Sequence, residues 1–311
     1  MKRVLVIHYS QTGQLSSVAR SIAAPLEACA DIEVVYEDLR PVNPYPFPWP
    51  FVRFINTFPE SAHQVGCELH PLGVDADEDF DLIILAYQVW FLAPSIPVEA
   101  FLQSSAARQL LSGKSLVTVI ACRNMWLMAQ EKVKAHIERI GANHIGNIAL
   151  TDAAGTAASF LSTPLWVLSG NKGPFPLGIP AAGVAPGEIE RASRFGDALR
   201  LRLTGEHALD ADVLQGLGAV RVNESLIASE TIANRSFYIW GKLFRAAGGP
   251  DALLRVPLVW IYAVFLVIMI LTVVPISAMV KMLLAPFTRK RIAQQKFYFA
   301  QPSGEDREHI L

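Results

Sequence analysis

Near the amino terminus, the pattern of a buried strand leads directly into a short polar stretch. Residues 3–7 are mostly apolar and partly β-branched, whereas residues 10–14 are Ser-Gln-Thr-Gly-Gln and the pattern of a helix follows. The first turn of a helix leaves backbone N–H groups unpaired and carries partial positive charge, so it binds anions. Hydroxyl and amide side chains add donors, and glycine lets the backbone approach a ligand closely. The stretch predicts a phosphate cradle made of Ser10, Gln11, Thr12, Gly13 and Gln14.

A purely structural explanation of this loop is a helix cap, for which serine and threonine are common. A cap needs one such residue, whereas five consecutive positions here are polar or glycine. The loop contains neither GxxxxGK[ST] nor GxGxxG, the patterns that bind nucleoside triphosphates and dinucleotides. A monophosphate, such as that of FMN, is therefore favoured.

The elements that must position this loop alternate between strand and helix along the chain. This alternation predicts a doubly wound α/β fold with a five-stranded parallel sheet, complete within residues 1–204. Ligands of such sheets bind beyond the carboxyl ends of the strands, at the point where the strand order reverses. The predicted strands are 3–7, 32–36, 80–86, 115–121 and 145–150, and helices are predicted at 96–112, 125–140 and 187–203.

Two segments depart from this alternation. Residues 43–61 and 160–187 are rich in aromatic residues and in proline or glycine. Aromatic residues disfavour disorder, so both segments are predicted to be long ordered loops or lids. The five prolines of 43–61 suit a rigid apolar wall beside a ligand better than a docking rim for a protein partner.

The stretch "SQTGQ" directly after "VLVIHY" resembles the phosphate loop of the flavodoxin superfamily, whose pattern is Ser/Thr-x-Thr-Gly-x-Thr. Leu15 stands where that family usually has its last threonine, so one hydroxyl donor is missing. The resemblance implies a flavodoxin-like fold and FMN as the cofactor.

Two later loops resemble the other flavin loops of that superfamily. Residues 87–102, "YQVWFLAPSIPVEAFL", follow the third strand, and residues 122–126, "CRNMW", follow the fourth. Core packing beneath a loop is the alternative for the aromatic residues of the first stretch. The resemblance implies that Tyr87, Trp90 and Phe91 cover the isoalloxazine ring and that Cys122, Arg123 and Asn124 lie at its edge.

Arg123 bears on the kind of redox chemistry. Flavodoxins that only carry electrons hold the flavin among acidic groups, whereas a cation near the flavin favours its reduced anion and two-electron chemistry. The alternative is that Arg123 faces solvent or pairs with a carboxylate.

Over nearly all of the soluble part, the chain also resembles a bacterial family of dialkylresorcinol condensing enzymes. The stretches "VLVIHYSQTGQL", "NPYPFPWPF", "FPES" and "AYQVWFLAPSIP" carry this resemblance. It implies a lipid-like substrate, a cyclohexanedione that is oxidised to an aromatic ring beside a ketosynthase. Carbon–carbon condensation needs a nucleophilic cysteine with partner histidines, and no cysteine here has that pattern. Aromatisation with FMN is therefore favoured over condensation.

Two other functions stay open at this stage. One is a membrane-tethered electron carrier, which needs no substrate pocket, and the other is a flavin-free scaffold for the condensing partner. The candidate acid–base groups are His8, His63 and His70, because histidine transfers protons near neutral pH. Each of them alone is more often a packed or surface histidine.

Composition excludes several classes of protein. The formal net charge is −1 and no block of five or more like charges is present, so a nucleic-acid partner is not expected. The three cysteines form no CxxC pair, which fits a reducing compartment and makes a structural zinc site improbable. No signal-peptide pattern precedes the first strand, so the soluble domain is expected in the cytoplasm.

The composition changes after residue 204. Residues 205–254 are predicted to be an amphipathic helical connector, 255–287 a membrane segment and 288–311 a polar tail. Residues 256–280 contain no charge, and about 20 residues suffice for a helix to cross the hydrocarbon core. Cations flank both ends, so orientation is open: the segment either spans the bilayer, which length favours, or turns at Pro275 as a hairpin. The expected location is the inner membrane of a bacterium.

Overall fold

A computed structural model describes residues 1–304 of the chain. Its centre is a parallel sheet with the strand order β2-β1-β3-β5-β6, so the predicted five-stranded doubly wound sheet is confirmed. This is the flavodoxin-like order, which reverses between β1 and β3. A sixth, two-residue strand, β4, pairs antiparallel with β3. The strands are β1 (Lys2–His8), β2 (Ile32–Asp38), β3 (Leu82–Trp90), β4 (Ala93–Pro94), β5 (Ser115–Cys122) and β6 (Asn143–Thr151).

Helices cover both faces of the sheet, because consecutive residues in the middle of β1, β3 and β5 are fully buried. Helix α1 packs against α7 and α8, whereas α5 packs against α3, α4 and α9. The helices are α1 (Gln14–Glu27), α2 (Phe51–Ala62), α3 (Ile96–Gln103), α4 (Ser105–Leu111), α5 (Leu127–Ile140), α6 (Gly155–Ser169), α7 (Pro186–Arg191), α8 (Ser193–Thr204), α9 (Glu224–Ala246), α10 (Arg255–Leu271) and α11 (Val273–Ala300).

The sequence misjudged several helix boundaries. The helix predicted at 96–112 is α3 followed by α4, since Ser104 has extended backbone and its hydroxyl caps α4 by accepting a hydrogen bond from the Ala107 amide. The helix predicted at 187–203 is likewise two helices, α7 and α8. The segments 43–61 and 160–187 are not loops throughout, because α2 and the second half of α6 lie within them.

The chain after residue 204 belongs to the same core. Leu214, Val220 and Ile227 are almost completely buried in the main apolar cluster. The backbone amide of Ala149 in β6 donates a hydrogen bond to the carbonyl of Ala219 at 2.8 Å. Residues of the connector therefore complete the domain that the sequence assigned to residues 1–204.

The C-terminal helices carry the apolar segment. Residues 255–277 are long and apolar enough to cross a membrane by length and composition. The helical axis is interrupted at Thr272, between α10 and α11. Residues 288–300 of the predicted polar tail belong to α11, and residues 305–311 lie outside the described residues.

Candidate active site

The polar loop after β1 has the geometry of an anion cradle. Helix α1 begins at Gln14, and Gly13 before it has a φ of 79°, a left-handed conformation that favours glycine. The first amides of α1 have no partner within the helix and point toward the loop. The hydroxyl oxygen of Ser10 is buried and has no hydrogen-bond partner among the residues that the structure describes. A buried polar atom of this kind costs free energy unless a ligand satisfies it.

The two glutamines of the loop have a different role from the predicted one. Gln11 donates through Nε2 to the carbonyl of Pro46 at 2.8 Å and accepts from Nε1 of Trp49 at 2.9 Å. Gln14 accepts from the amide of Val184 at 3.1 Å. Both amide side chains therefore hold neighbouring segments against the loop, a role that the sequence did not predict.

A cavity of about 330 Å³ adjoins this loop. It lies beyond the carboxyl ends of the central strands, where doubly wound folds bind ligands, and its volume is typical of small-molecule sites. Predicted site residues that line it are Gln11, Thr12, Gln14, Leu15, Trp90, Phe91, Cys122 and Arg123, and residues from other segments include Phe47, Trp49, Phe54, Met125, Asp152, Thr163, Trp166, Gly183 and Phe237.

A strained turn positions the aromatic residues after β3. Trp90 pairs with Ala93 across a two-residue turn made of Phe91 and Leu92. Both turn residues have left-handed backbone, with φ of 48° and 61°, although such turns favour asparagine and glycine. Each residue of this kind costs about 1–3 kcal/mol and persists only where its surroundings fix it, often at functional sites.

Aromatic residues of the 43–61 segment form one wall of the cavity, as its composition predicted. The ring centroids of Trp49 and Trp90 lie 5.6 Å apart, and those of Tyr45 and Trp90 lie 5.0 Å apart. Trp49 is only 4% exposed. Edge-to-face contacts of this kind stabilise a fixed arrangement, so the wall is rigid.

Arg123 lines the cavity from the loop after β5. Its guanidinium carbon lies 4.1 Å from the ring centroid of Phe160, and its Nη2 donates to the sulfur of Met125 at 3.1 Å. Burial lowers the pKa of Arg123 and raises the pKa of the neighbouring Cys122 thiol. The cation therefore lies on an aromatic face in the wall of the cavity.

Asp152 is a cavity residue that the sequence analysis missed. It is 5% exposed, and its carboxylate accepts hydrogen bonds from the amides of Ala154 at 2.7 Å and Gly183 at 2.8 Å and from the hydroxyl of Thr163 at 3.2 Å. Asp152 directly follows β6, so the rule that ligands bind beyond the carboxyl ends of strands would have identified it.

A second carboxylate, that of Glu230, supports the loop after β5 from α9. Glu230 is fully buried and accepts the backbone amide hydrogen of Met128 at 3.1 Å, while its Oε1 has no partner. Burial raises the pKa of Glu230 to about 7. The carboxylate lies at the N-terminus of α5, where the helix dipole stabilises negative charge.

Four residues predicted to hold the cofactor do not line the cavity, namely Ser10, Gly13, Tyr87 and Asn124. Ser10 and Gly13 belong to the loop that adjoins it. Tyr87 is fully buried in the core and its hydroxyl donates to Gln130. The physical reason is that its side chain lies in the core, against Gln130 of α5. Asn124 lies in the loop after β5, outside the residues that line the cavity.

The three candidate histidines also lie outside the cavity lining. His8 is buried and lies within hydrogen-bond distance of Ser16 and Asp38, and burial lowers its pKa. His63 stacks on Tyr238, with ring centroids 4.5 Å apart. His70 is exposed at the surface. The acid–base role assigned to them has no support from their positions.

No family model and no curated protein matches the sequence. Solved structures with a similar fold include a flavoprotein of Lactobacillus acidophilus in complex with FMN (16% identity, 48% of this chain and 93% of that chain, TM-score 0.37). Also similar is a flavodoxin from the domain Archaea, with 10% identity over 65% of this chain and 99% of that chain and a TM-score of 0.38. Oxidised flavodoxin 1 from Bacillus cereus has 15% identity over 63% of this chain and 95% of that chain, with a TM-score of 0.35.

Proposed function

We propose that this chain binds FMN in the cavity and oxidises a lipid-like cyclic substrate at the cytoplasmic face of a bacterial membrane. The observation that carries the proposal is the cavity that begins at an anion cradle and continues along an aromatic wall. Its place at the reversal of strand order matches that of ligand sites in doubly wound folds.

The residues present fit FMN. The buried, unpartnered hydroxyl of Ser10 and the first amides of α1 offer hydrogen bonds to a terminal phosphate. Trp90 and Trp49 offer rings beside a flat cofactor. When bound, FMN would supply a two-electron oxidant at this site. Arg123 would place positive charge against the cofactor, and the neighbouring Asp152, whose amide donates to the Arg123 carbonyl at 2.9 Å, would hold that wall through its hydrogen bonds.

The shape of the wall supports a substrate with apolar tails. Phe54, Phe91 and Phe237 line the cavity and also pack into the second apolar cluster, which contains Tyr262 of α10. The cavity and the apolar C-terminal segment therefore share one aromatic wall. An electron carrier needs only an exposed flavin edge, so a cavity of this composition supports a substrate-binding enzyme.

The resemblance to dialkylresorcinol condensing enzymes suggests the specific reaction. A dialkylcyclohexane-1,3-dione made by a ketosynthase would lose one hydride to FMN and one proton, and enolisation would give the resorcinol. The balance is a loss of two hydrogen atoms by the substrate and a two-electron reduction of FMN. This step makes a ring that is aromatic and therefore stable.

The test is a single turnover without oxygen. FMN-loaded protein in detergent is mixed with one equivalent of a long-chain dialkylcyclohexane-1,3-dione, and mass spectrometry and visible absorption are followed together. The proposal predicts a product that is two hydrogen atoms lighter and loss of the oxidised flavin bands. A reducible flavin that leaves the dione unchanged would instead support the electron carrier.

A further inference from the structure

The C-terminal helices expose an unusually large apolar surface. More than half of the surface of Val264, Val267 and Leu271 on α10 is exposed, and the same holds for Leu283 and Phe287 on α11. Monomeric soluble proteins rarely leave a continuous apolar patch of this size in water. The surface therefore requires an apolar environment.

The beginning of this segment is fixed on the soluble domain. Arg255, the first residue of α10, is 1% exposed and forms an ion pair with Glu60 of α2, with Nη2 and Oε1 2.7 Å apart. Its Nε also donates to the carbonyls of Phe244 at 3.1 Å and Gly248 at 2.9 Å. Such a buried, fully bonded cation holds the helix end in place.

The end of the segment is fixed on the same domain. The hydroxyl of Tyr298 in α11 donates to Glu131 of α5 at 2.7 Å, and Phe299 is buried in the main core. Ser303 accepts a hydrogen bond from the backbone amide of Asn147 at 2.6 Å and donates to the carbonyl of Asn147 at 2.7 Å. Asn147 lies within β6 and is fully buried.

Both ends of the segment are therefore on one side of any bilayer that the segment enters. A spanning helix would have to carry residues 292–304 across a hydrocarbon core of about 30 Å. Six residues separate Phe265, whose ring packs against Trp240 of α9, from the break at Thr272. At about 1.5 Å per residue they reach about 9 Å, which is less than one leaflet.

We propose that residues 255–288 form a bent helical hairpin that enters one leaflet of an anionic membrane and returns to the same side. Exposed cations lie on both sides of the apolar surface, on α9 and on the second half of α11. They are placed to contact anionic headgroups when the apolar arms are inserted. These cations are Lys242, Arg245, Arg289, Lys290 and Arg291.

The proposal does not depend on FMN, so its test uses topology rather than activity. Cysteines are introduced singly at exposed positions before and after the segment, as Asp251→Cys and Gln294→Cys, in the full-length protein. A membrane-impermeant maleimide is applied to sealed inverted membrane vesicles and to intact spheroplasts. Labelling of the parent protein measures the reaction of its own three cysteines and is subtracted. A hairpin predicts that both positions react in the inverted vesicles and neither in spheroplasts. Reaction of the two positions from opposite sides would overturn the proposal.

Vesicle binding tests the chemistry of the surface. Lys290→Glu is expected to lower binding to vesicles containing one third anionic lipid by about fivefold or more. The matched variant Arg108→Glu, an exposed cation on α4, is expected to leave binding unchanged. Equal effects of the two variants would overturn the role of these cations. If the protein formed a stable dimer without detergent and did not bind vesicles, a second copy would cover the apolar surface. That result would also overturn the proposal.

Discussion

Glu230, on α9, accepts a hydrogen bond from the backbone amide of Met128, the second residue of α5. This contact joins a helix that packs beside the apolar segment to the loop that carries Cys122 and Arg123. The carboxylate is buried and one of its oxygens has no partner. Its charge therefore depends on a balance between burial, which disfavours it, and the helix N-terminus, which favours it.

We expect Glu230 to make stability depend on pH. Burial raises its pKa from the ordinary 4.5 to about 7. Between these values the folded protein binds more protons than the unfolded chain, so the free energy of unfolding falls as pH rises, by up to about 3 kcal/mol. Urea unfolding in detergent between pH 4.5 and 8 measures this fall.

The matched variants separate Glu230 from other titrating groups. Glu230→Gln keeps an acceptor for the Met128 amide but does not titrate. Its free energy of unfolding should therefore decrease much less with rising pH. Glu138→Gln, at an exposed position on α5, should retain it. The same pH dependence in all three proteins would contradict the assignment.

Ser10→Ala should have opposite effects on stability and on FMN binding. In the free protein it removes a buried, unpartnered hydroxyl, so the free energy of unfolding should stay unchanged or rise by about 1 kcal/mol. FMN binding should weaken about tenfold, since one hydrogen bond to a charged phosphate is lost. Ser17→Ala, one turn along α1, serves as the control. A loss of stability without a loss of affinity would argue that Ser10 serves only the fold.

Arg123→Met should lower the midpoint potential of bound FMN. It removes a positive charge beside the cavity, and the expected shift is about 30 mV or more for two electrons, equivalent to roughly 1.4 kcal/mol. Arg123→Lys keeps the charge and should stay close to the parent. Spectroelectrochemistry gives the potentials, and equal shifts in both variants would assign the effect to lost packing on Phe160.

The effects of substituting Arg255 and Glu60 on the free energy of unfolding should be strongly coupled. Arg255→Met leaves a carboxylate of low exposure without its partner and should cost about 3 kcal/mol of unfolding free energy. The double variant with Glu60→Met should recover a substantial part of this loss. Arg245→Met, on the exposed side of α9, should change little. Additive losses in the double variant would show that the ion pair does not act as a unit.

The sequence was most informative where one local rule decided the structure. The apolar runs and their alternation with helices identified all five long strands, and the polar stretch after β1 identified a loop that adjoins the cavity. The prediction of loops failed over α2, where prolines at residues 50 and 59 masked an apolar helical repeat that places Phe58 in the core.

Long-range contacts explain the remaining misses. The hydrogen bonds of Gln11 to the 43–61 segment and of Gln14 to Val184 join residues far apart in sequence, so the local pattern read both glutamines as free donors. The position of Glu230 at α5 likewise requires α9 to fold back onto the sheet domain. Deletion of everything after residue 235 would therefore also remove residues that pack on the core.

The proposed site for the phosphate of FMN is the loop at residues 10–15. A titration of the detergent-purified full-length protein, followed by quenching of flavin fluorescence, compares FMN with riboflavin, which lacks the phosphate. One FMN per chain should bind with a micromolar or lower Kd, and riboflavin should bind about 100-fold more weakly, because it cannot form the charge-assisted hydrogen bonds of the phosphate. Equal affinities for the two flavins, or no binding of FMN, would contradict it.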